Sequence, residues 1–410
     1  MAVIAPFKAV RPVRDKVHLV AARPYYSYKK NVLKAKLEDN PFTFLHIINP
    51  EFGPNKKTKP NSNERFQLVR SRYEQFLEDG IFIQDQFPRL YIYRQSSEIG
   101  VFTGVICGAS VEAYLADDIK KHEATLTARE DVFTRYLDIV GFNAEPVLMS
   151  YPSNSDIQHV IHQCVEFRPE YEFTTTDRIK HELWVLTENQ TLSLKNAFEK
   201  VPSLYIADGH HRSASSVRFY EQQKNGGKFQ KDSAFFLSYL VDENDLEILP
   251  FHRLVKTLNG YIKDSFLHAL KALGTLEKLD GAHEPNQVHE INVCVEGDWF
   301  VFRPFEYLIE EDHPVKSLDA DLLTQLILKP ILGIEDLKTS TEIEFVPGNE
   351  SLESFHEKII SGKFSVGFTL FPVAIEQVKA VADNGMNMPP KSTWVEPKLR
   401  SGLTIYAMEE

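Results

Sequence analysis

One turn constrains this chain more than any other stretch. Val201–Ala207 is apolar and partly β-branched, Asp208-Gly209 is a turn signal, Arg212–Lys224 has helix composition, and Asn225-Gly226-Gly227 stops it. The spacing predicts a buried strand, a sharp reversal and a helix start. Within the reversal, Asp208, Gly209, His210, His211 and Arg212 gather a carboxylate, a flexible glycine, two imidazoles and a guanidinium. A helix start presents backbone N–H groups and the positive end of the helix dipole, so anions settle there. Two readings fit: a turn that holds phosphate, or a polar loop in which Asp208 caps the helix.

Length and charge narrow the classes. The 410 residues suffice for two or three domains, and 43% hydrophobic with 25% charged residues is the balance of a soluble globular protein. No stretch approaches the ~18 apolar residues of a membrane span. The N-terminus lacks the order of a secretory signal, so a cytoplasmic location is expected. A net charge of −12 and a pI near 5.7 argue against a nucleic-acid partner, whose phosphates need a cationic field. A small-molecule substrate is the expected partner. Cys107, Cys164 and Cys294 stand far apart without metal or redox spacing, and read as buried small hydrophobes.

Taken in order, Val17–Tyr25 reads as a short strand ending in a proline turn, with Arg23 and Tyr25 at its end. Asn40–Pro50 reads as another strand, and Asn63–Glu78 as a helix. Leu90–Arg94 and Gly100–Cys107 read as paired strands in which Gly104 and Gly108 allow close packing. Tyr114–Val140 reads as one long helical stretch carrying His122 and Glu123. A zincin would need a second histidine at position 126, where Leu126 stands; His181-Glu182 fails likewise at Val185. No P-loop is present. His122 and Glu123 remain as an acid–base pair or a charged helix face. His252-Arg253 is a second basic pair at a strand edge. From about residue 259 the pattern is α+β without a repeat. In the tail, prolines hold residues 386–402 extended and line up Lys391, Ser392 and Arg400, which suits an anion or serves as a strap.

These pieces together resemble a bacterial family, the domain of unknown function numbered 1015, whose members are often labelled SpoOJ/ParA/ParB/RepB proteins. The resemblance rests on Pro6–Pro12, Val20–Tyr25, Leu45–Glu51, Ile119–Thr125, Ile206–Arg212, Leu249–Val255 and Met388–Trp394. Tyr26 stands where the family usually has an acid, and Phe251 where it usually has Thr. The Asp-Gly-His-His-Arg turn is similar to that of the ParB/sulfiredoxin-like fold, and most of all to that of free-serine kinases. Sulfiredoxins carry a reactive Cys in the turn, where this chain has His210.

The resemblance implies a mixed α+β protein: a ParB/sulfiredoxin-like nucleotide-binding core with large insertions over residues 1–258, then a C-terminal α+β region over 259–410 whose tail returns to the core. It implies an ADP- or ATP-dependent phosphotransferase acting on a small hydroxylated metabolite, with free serine as the guessed acceptor. In that scheme Asp208 holds Mg²⁺, while Gly209, His210, His211 and Arg212 grip the phosphates. His122 or Glu123 takes the acceptor's proton, and Lys391, Ser392 and Arg400 close over its carboxylate. Arg23, Tyr25, His252 and Arg253 form a second tier. Two alternatives stay open: a non-enzymatic ParB-like regulator that binds nucleotide or DNA, and a metal-dependent hydrolase using His210, His211 and His122.

Overall fold

Alternating apolar side chains between residues 90 and 110 build the hairpin at the middle of the first sheet. In the computed structural model, which describes residues 1, 3–53, 57–227 and 229–408, the chain divides into two units. The first comprises residues 1–120, 125–246 and 397–410; the second comprises 121–124 and 247–396. Each is a mixture of helices and sheet, so the architecture is α+β.

Nine strands make the sheet of the first unit. They are β1 (Ile4–Ala5), β2 (Tyr91–Ser96), β3 (Val101–Ser110), β4 (Ile119–Lys120), β5 (Val147–Tyr151), β6 (Tyr171–Thr174), β7 (Lys180–Val185), β8 (Leu204–Asp208) and β9 (Phe235–Asp242). Their order is β4-β8-β5-β9-β3-β2-β7-β6, with β1 added against β3. The β4–β8 and β5–β9 pairs are parallel and the others antiparallel. Its longest helices are α1 (Asn63–Glu78), α2 (Thr127–Val140), α3 (Ser155–Val165), α4 (Glu188–Phe198) and α5 (His210–Asn225). Ile92, Val105, Met149 and Ile206 of the sheet share one core with Ile161 and Phe198 of α3 and α4. Phe66, Val69 and Tyr73 of α1 form another with Phe44, Phe142 and Ile405.

The C-terminal residues of the first unit form a strap. Ile405 exchanges backbone hydrogen bonds with Val10, and Ser401 with Ala22. Tyr406 and Ala407 pair with Asn143 and Phe142, and the Gly402 N–H donates to Ala144. Gly402 has a φ of +77°, and a Cβ there would stand 2.6 Å from the Phe44 ring, so this crossing needs glycine. Buried Arg400 donates to both oxygens of Asp177, at 2.9 and 2.8 Å, and to Thr175 Oγ1 at 3.2 Å.

The second unit carries an antiparallel sheet. Its strands are β10 (Glu247–Val255), β11 (Gly274–Leu279), β12 (Ile291–Val295), β13 (Asp298–Pro304), β14 (Ile343–Pro347) and β15 (Val366–Leu370), in the order β11-β13-β12-β15-β10-β14. A further strand, β16 (Thr393–Glu396), pairs with the first half of β10. The helices α6 (Lys263–Lys271), α7 (Asp319–Leu323), α8 (Leu352–Ile360) and α9 (Ile375–Asp383) accompany it.

Three sequence expectations are corrected. Val17–Val20 is a helical turn, because it buries Val17 and Val20 at i,i+3 spacing; only Ala22 beyond it bridges to the strap. Leu45–Ile48 is also helical: Asn40 accepts from Phe42 N–H and Thr43 Oγ1 from Leu45 N–H, local bonds that compete with a ladder. The expected long helix from Tyr114 is broken. Asp117 adopts a left-handed φ of +61°, Ile119–Lys120 joins the sheet, and helix resumes only at Thr127. His122 and Glu123 therefore lie in irregular chain rather than on a helix face.

Gly104 shows how tightly β3 and β9 meet. A Cβ there would stand 2.4 Å from the Leu240 carbonyl oxygen and 2.7 Å from the Tyr239 ring. Gly104→Ala is expected to cost about 1–3 kcal/mol by overpacking, read as a lower midpoint in urea unfolding. The Asp177–Arg400 pair carries a pH dependence. Burial pushes the Asp177 carboxyl up, but hydrogen bonds from Thr175 and Arg400 outweigh it and hold the group below its ordinary value. Its contribution is present above the unfolded value of about 4 and is lost as pH falls through the lower folded value. Asp177→Asn is expected to destabilise the protein at pH ~7 by about 3 kcal/mol, the low end for breaking a buried pair. The difference from the unsubstituted chain should shrink in unfolding curves measured at pH ~3.

Candidate active site

The turn between β8 and α5 is built by three local devices. Between Ile206 and Asp208 the pairing with β5 shifts by one residue, a bulge that re-aims the strand end. Gly209 then takes a φ of +104°, a conformation L side chains rarely adopt. Helix α5 starts at His210 with no side-chain cap and no acidic residue in its first turn. His210, His211 and Arg212 occupy that turn instead, a placement that does nothing to offset the helix dipole.

Arg212 curls back over the reversal. Its guanidinium stands 3.0–3.2 Å from the position that a Cβ on Gly209 would take. It donates to the Pro146 carbonyl at 2.8 Å and to Asp208 Oδ2 at 3.1 Å, and Glu145 Oε2 lies 3.7 Å away. Glu145 is itself fixed by Ser401 Oγ of the strap, which donates to Oε1 at 2.8 Å. Asp208, 44% exposed, is the most open group of this set. His210 is buried, and His211 Nε2 accepts from the Leu126 N–H at 3.2 Å, tying α5 to the start of α2. Ser213, Ser215 and Ser216 bond back to the carbonyls of His210, His211 and Arg212, so that small satisfied side chains line the buried face of α5.

A second polar network adjoins the strap. Arg23 Nε lies 3.9 Å from Asp177 Oδ2, the carboxylate that holds Arg400. Ala22 and Ser401, bonded to each other, are the chain neighbours of Arg23 and Arg400. Thr175 links Asp177 to His181 Nε2 at 3.2 Å, and His181 Nδ1 meets the Tyr93 hydroxyl at 2.7 Å. Burial pushes the His181 pKa down to about 3, helped by the Arg400 charge, so the ring is neutral. Burial also keeps the Tyr93 phenol protonated, so it donates to Nδ1 and His181 passes its own N–H to Thr175.

The structure thus gathers Asp208, Gly209, His210, His211 and Arg212 in one turn, and places Arg23 and Arg400 on one carboxylate. The Tyr25–Ser27 turn follows Arg23 across Pro24; Tyr25 is exposed, and the side chain of Tyr26 lies outside the described residues. Four of the expected residues, and the basic pair, belong to the second unit. The His122 carbonyl accepts from the Met388 N–H at 2.8 Å, and Glu123 follows it in the short 121–124 segment. The Lys391 carbonyl accepts from Arg253, and Ser392 Oγ donates to the Pro389 carbonyl at 2.7 Å. Arg253 is buried against the Phe345 ring, and burial pushes its pKa down to about 9. His252 Nδ1 accepts from the Leu370 N–H at 3.2 Å.

Sequence reasoning missed Glu145, Thr175 and Asp177, and placed Ser401 only in the anion-suited tail, not beside Glu145. Thr175 and Asp177 sit in the run Thr174-Thr-Thr-Asp-Arg178, which reads only as a polar loop. No motif marks Glu145 or Ser401, because each acts through a partner more than fifty residues away.

No curated protein matches the sequence. Among solved structures, a free serine kinase variant in complex with AMP is 15% identical, with a TM-score of 0.37, covering 73% of this chain and 91% of its own. A conserved hypothetical protein from Pyrococcus furiosus is 17% identical, with a TM-score of 0.34, covering 72% and 91%. SbnI with C-terminal truncation, from Staphylococcus aureus, is 12% identical, with a TM-score of 0.35, covering 73% and 85%. The model of one family spans residues 4–321, and on that match the chain belongs to DUF1015, a family of proteins of unknown function.

Proposed function

We propose that the turn from Asp208 to Arg212 binds the phosphates of ADP or ATP, in a ParB/sulfiredoxin-like manner, and that the protein transfers a phosphoryl group to a small hydroxylated metabolite. The observation that carries this reading is the start of α5: a sixteen-residue helix with no side-chain cap, no acid in its first turn, and three basic residues there. Such a start gains little from its own side chains and is suited to an anion. Phosphoryl transfer asks the protein mainly for positioning and charge neutralisation, which a rigid glycine turn and a braced guanidinium supply.

The local charge balance adds a condition. Asp208 and Glu145 outnumber the guanidinium they flank. A bare nucleotide would meet an excess of carboxylate, so binding should require a cation. Asp208, open to solvent and beside the turn, is the residue that would hold Mg²⁺, with Glu145 as the other carboxylate beside Arg212. When bound, the ion would neutralise charge on the phosphates. Arg23 and Arg400, two guanidiniums on one carboxylate, leave a positive excess suited to an anionic group on the acceptor, and free serine is the first acceptor to test. Abstraction of the acceptor's proton falls to His122 or Glu123, and Lys391 and Ser392 are carried as further acceptor contacts.

Isothermal titration of the full chain with ATP and ADP should show binding with Mg²⁺ that weakens at least about tenfold in EDTA. Gly209→Ala, strained by its φ and by the Arg212 guanidinium, should weaken it by a similar factor and lower the thermal midpoint by the few degrees that about 1–2 kcal/mol of backbone strain costs. An absence of heat at millimolar nucleotide with Mg²⁺ would sink the proposal. With binding established, Glu123→Gln and His122→Gln should lower kcat for ³²P transfer to serine more than they raise KM. Equal nucleotide hydrolysis with and without any acceptor would instead point away from transfer.

A further inference from the structure

The second unit contains a row of buried polar side chains that the turn chemistry does not use. Asn292 on β12 lies opposite Thr369 on β15. The register of β10 with β15 (Arg253 opposite Phe368) sets His252 next to Thr369 on the other side. The three therefore cross three neighbouring strands on one face, the face that also carries Leu254 and Cys294 against Phe355 of α8. All three are at most 2% exposed. Each has one polar atom without a hydrogen-bond partner among the described residues: His252 Nε2, Thr369 Oγ1 and Asn292 Oδ1. Native interiors rarely leave one such atom unpaired, and here three stand side by side.

Their chemistry restricts what could pair with them. His252 Nδ1 accepts the Leu370 N–H at 3.2 Å, so the neutral ring carries its proton on Nε2, which is a donor and not a metal ligand. Asn292 Nδ2 donates to the His283 carbonyl at 2.7 Å, which turns Oδ1 into the row as an acceptor. Thr369 can both give and receive. The charged group that faces His252 is acidic: Glu284 Oε1 lies 3.7 Å from Nε2. An anion is disfavoured there. Directly opposed side chains on adjacent strands stand roughly 4.5–5.5 Å apart at Cβ, so the row is longer than one atom can span. The irregular 283–284 segment lies over both of its ends, through the His283 carbonyl and the Glu284 carboxylate, and is exposed on its outer side.

We infer that His252, Thr369 and Asn292 form a binding site for a small neutral polyol, whose hydroxyls accept from the imidazole, exchange with the threonine and donate to the amide. The site is independent of the nucleotide reading.

The test is direct binding of glycerol, erythritol and xylitol to the full chain, by saturation-transfer NMR and calorimetry. Thermal shift is unsuitable because polyols stabilise proteins by exclusion. At least one polyol should bind at millimolar concentration. Thr369→Val, which keeps the shape and removes the hydroxyl, should weaken it about tenfold. Thr369→Ser should retain it. If Thr369→Val does not fold, Asn292→Ala carries the same comparison. No binding by any of the three, or binding that Thr369→Val leaves unchanged, would overturn the proposal and assign the row to ordered water only.

Discussion

The guanidinium of Arg212 is the group on which the candidate active site depends. It spans three pieces of chain at once: the end of β8 through Asp208, the approach to β5 through Pro146 and Glu145, and its own helix start through Gly209. Each contact needs something else to be true. The close approach to residue 209 favours glycine, since its φ is +104° and a Cβ would crowd the guanidinium at 3.0–3.2 Å. The bond to Asp208 needs the bulge that brings the strand end round by one residue. The bond to Pro146 needs the 141–146 segment held in place, and that is done by the C-terminal strap along Gly141 to Glu145. A charge at the centre of the turn is therefore positioned from both ends of the sequence.

The same strap sets the second network. Ser401 braces Glu145, while its neighbour Arg400 is buried on Asp177. Two polar centres that no sequence motif links are thereby separated by a single residue of backbone. The arrangement is rigid in a specific sense. Arg400 has no solvent to turn into, and Asp177 is held by a hydroxyl and a guanidinium together. Neutral His181 ends the chain of hydrogen bonds without adding a charge, which keeps the positive excess on the two arginines.

Much of this was legible in the residues, and the failures have physical causes. Asn63–Glu78 is a helix with the bounds that its periodicity indicates, since amphipathic spacing and a glycine stop agree there. The strand–turn–helix at Asp208 was readable because glycine, a turn signal and a helix stop are all local. Helices α3 and α4 were missed although Asn154 and the Thr187/Gln190 capping box announce them. Val17–Val20 reads as a strand because β-branched apolar residues are common there, yet a short buried turn uses the same residues. Gathering Asp208 to Arg212 needed only neighbours in sequence. Glu145 and Ser401 join them through long-range pairing, which leaves no pattern in the chain.

The division of the chain has a consequence for how the protein is made. Residues 247–396 of the second unit interrupt the first, whose last piece is 397–410. Ser401, Gly402, Ile405 and Tyr406 follow the second unit in the chain, and they complete the pairing with Val10, Ala22 and Phe142–Ala144. Until then the first unit lacks the strand partner that closes its second core. Helix α5 can form early, but the brace around Arg212 cannot be completed until the second unit has been made. A chain cut after residue 396 would keep nearly all of the secondary structure before it and lose the support of its candidate active site.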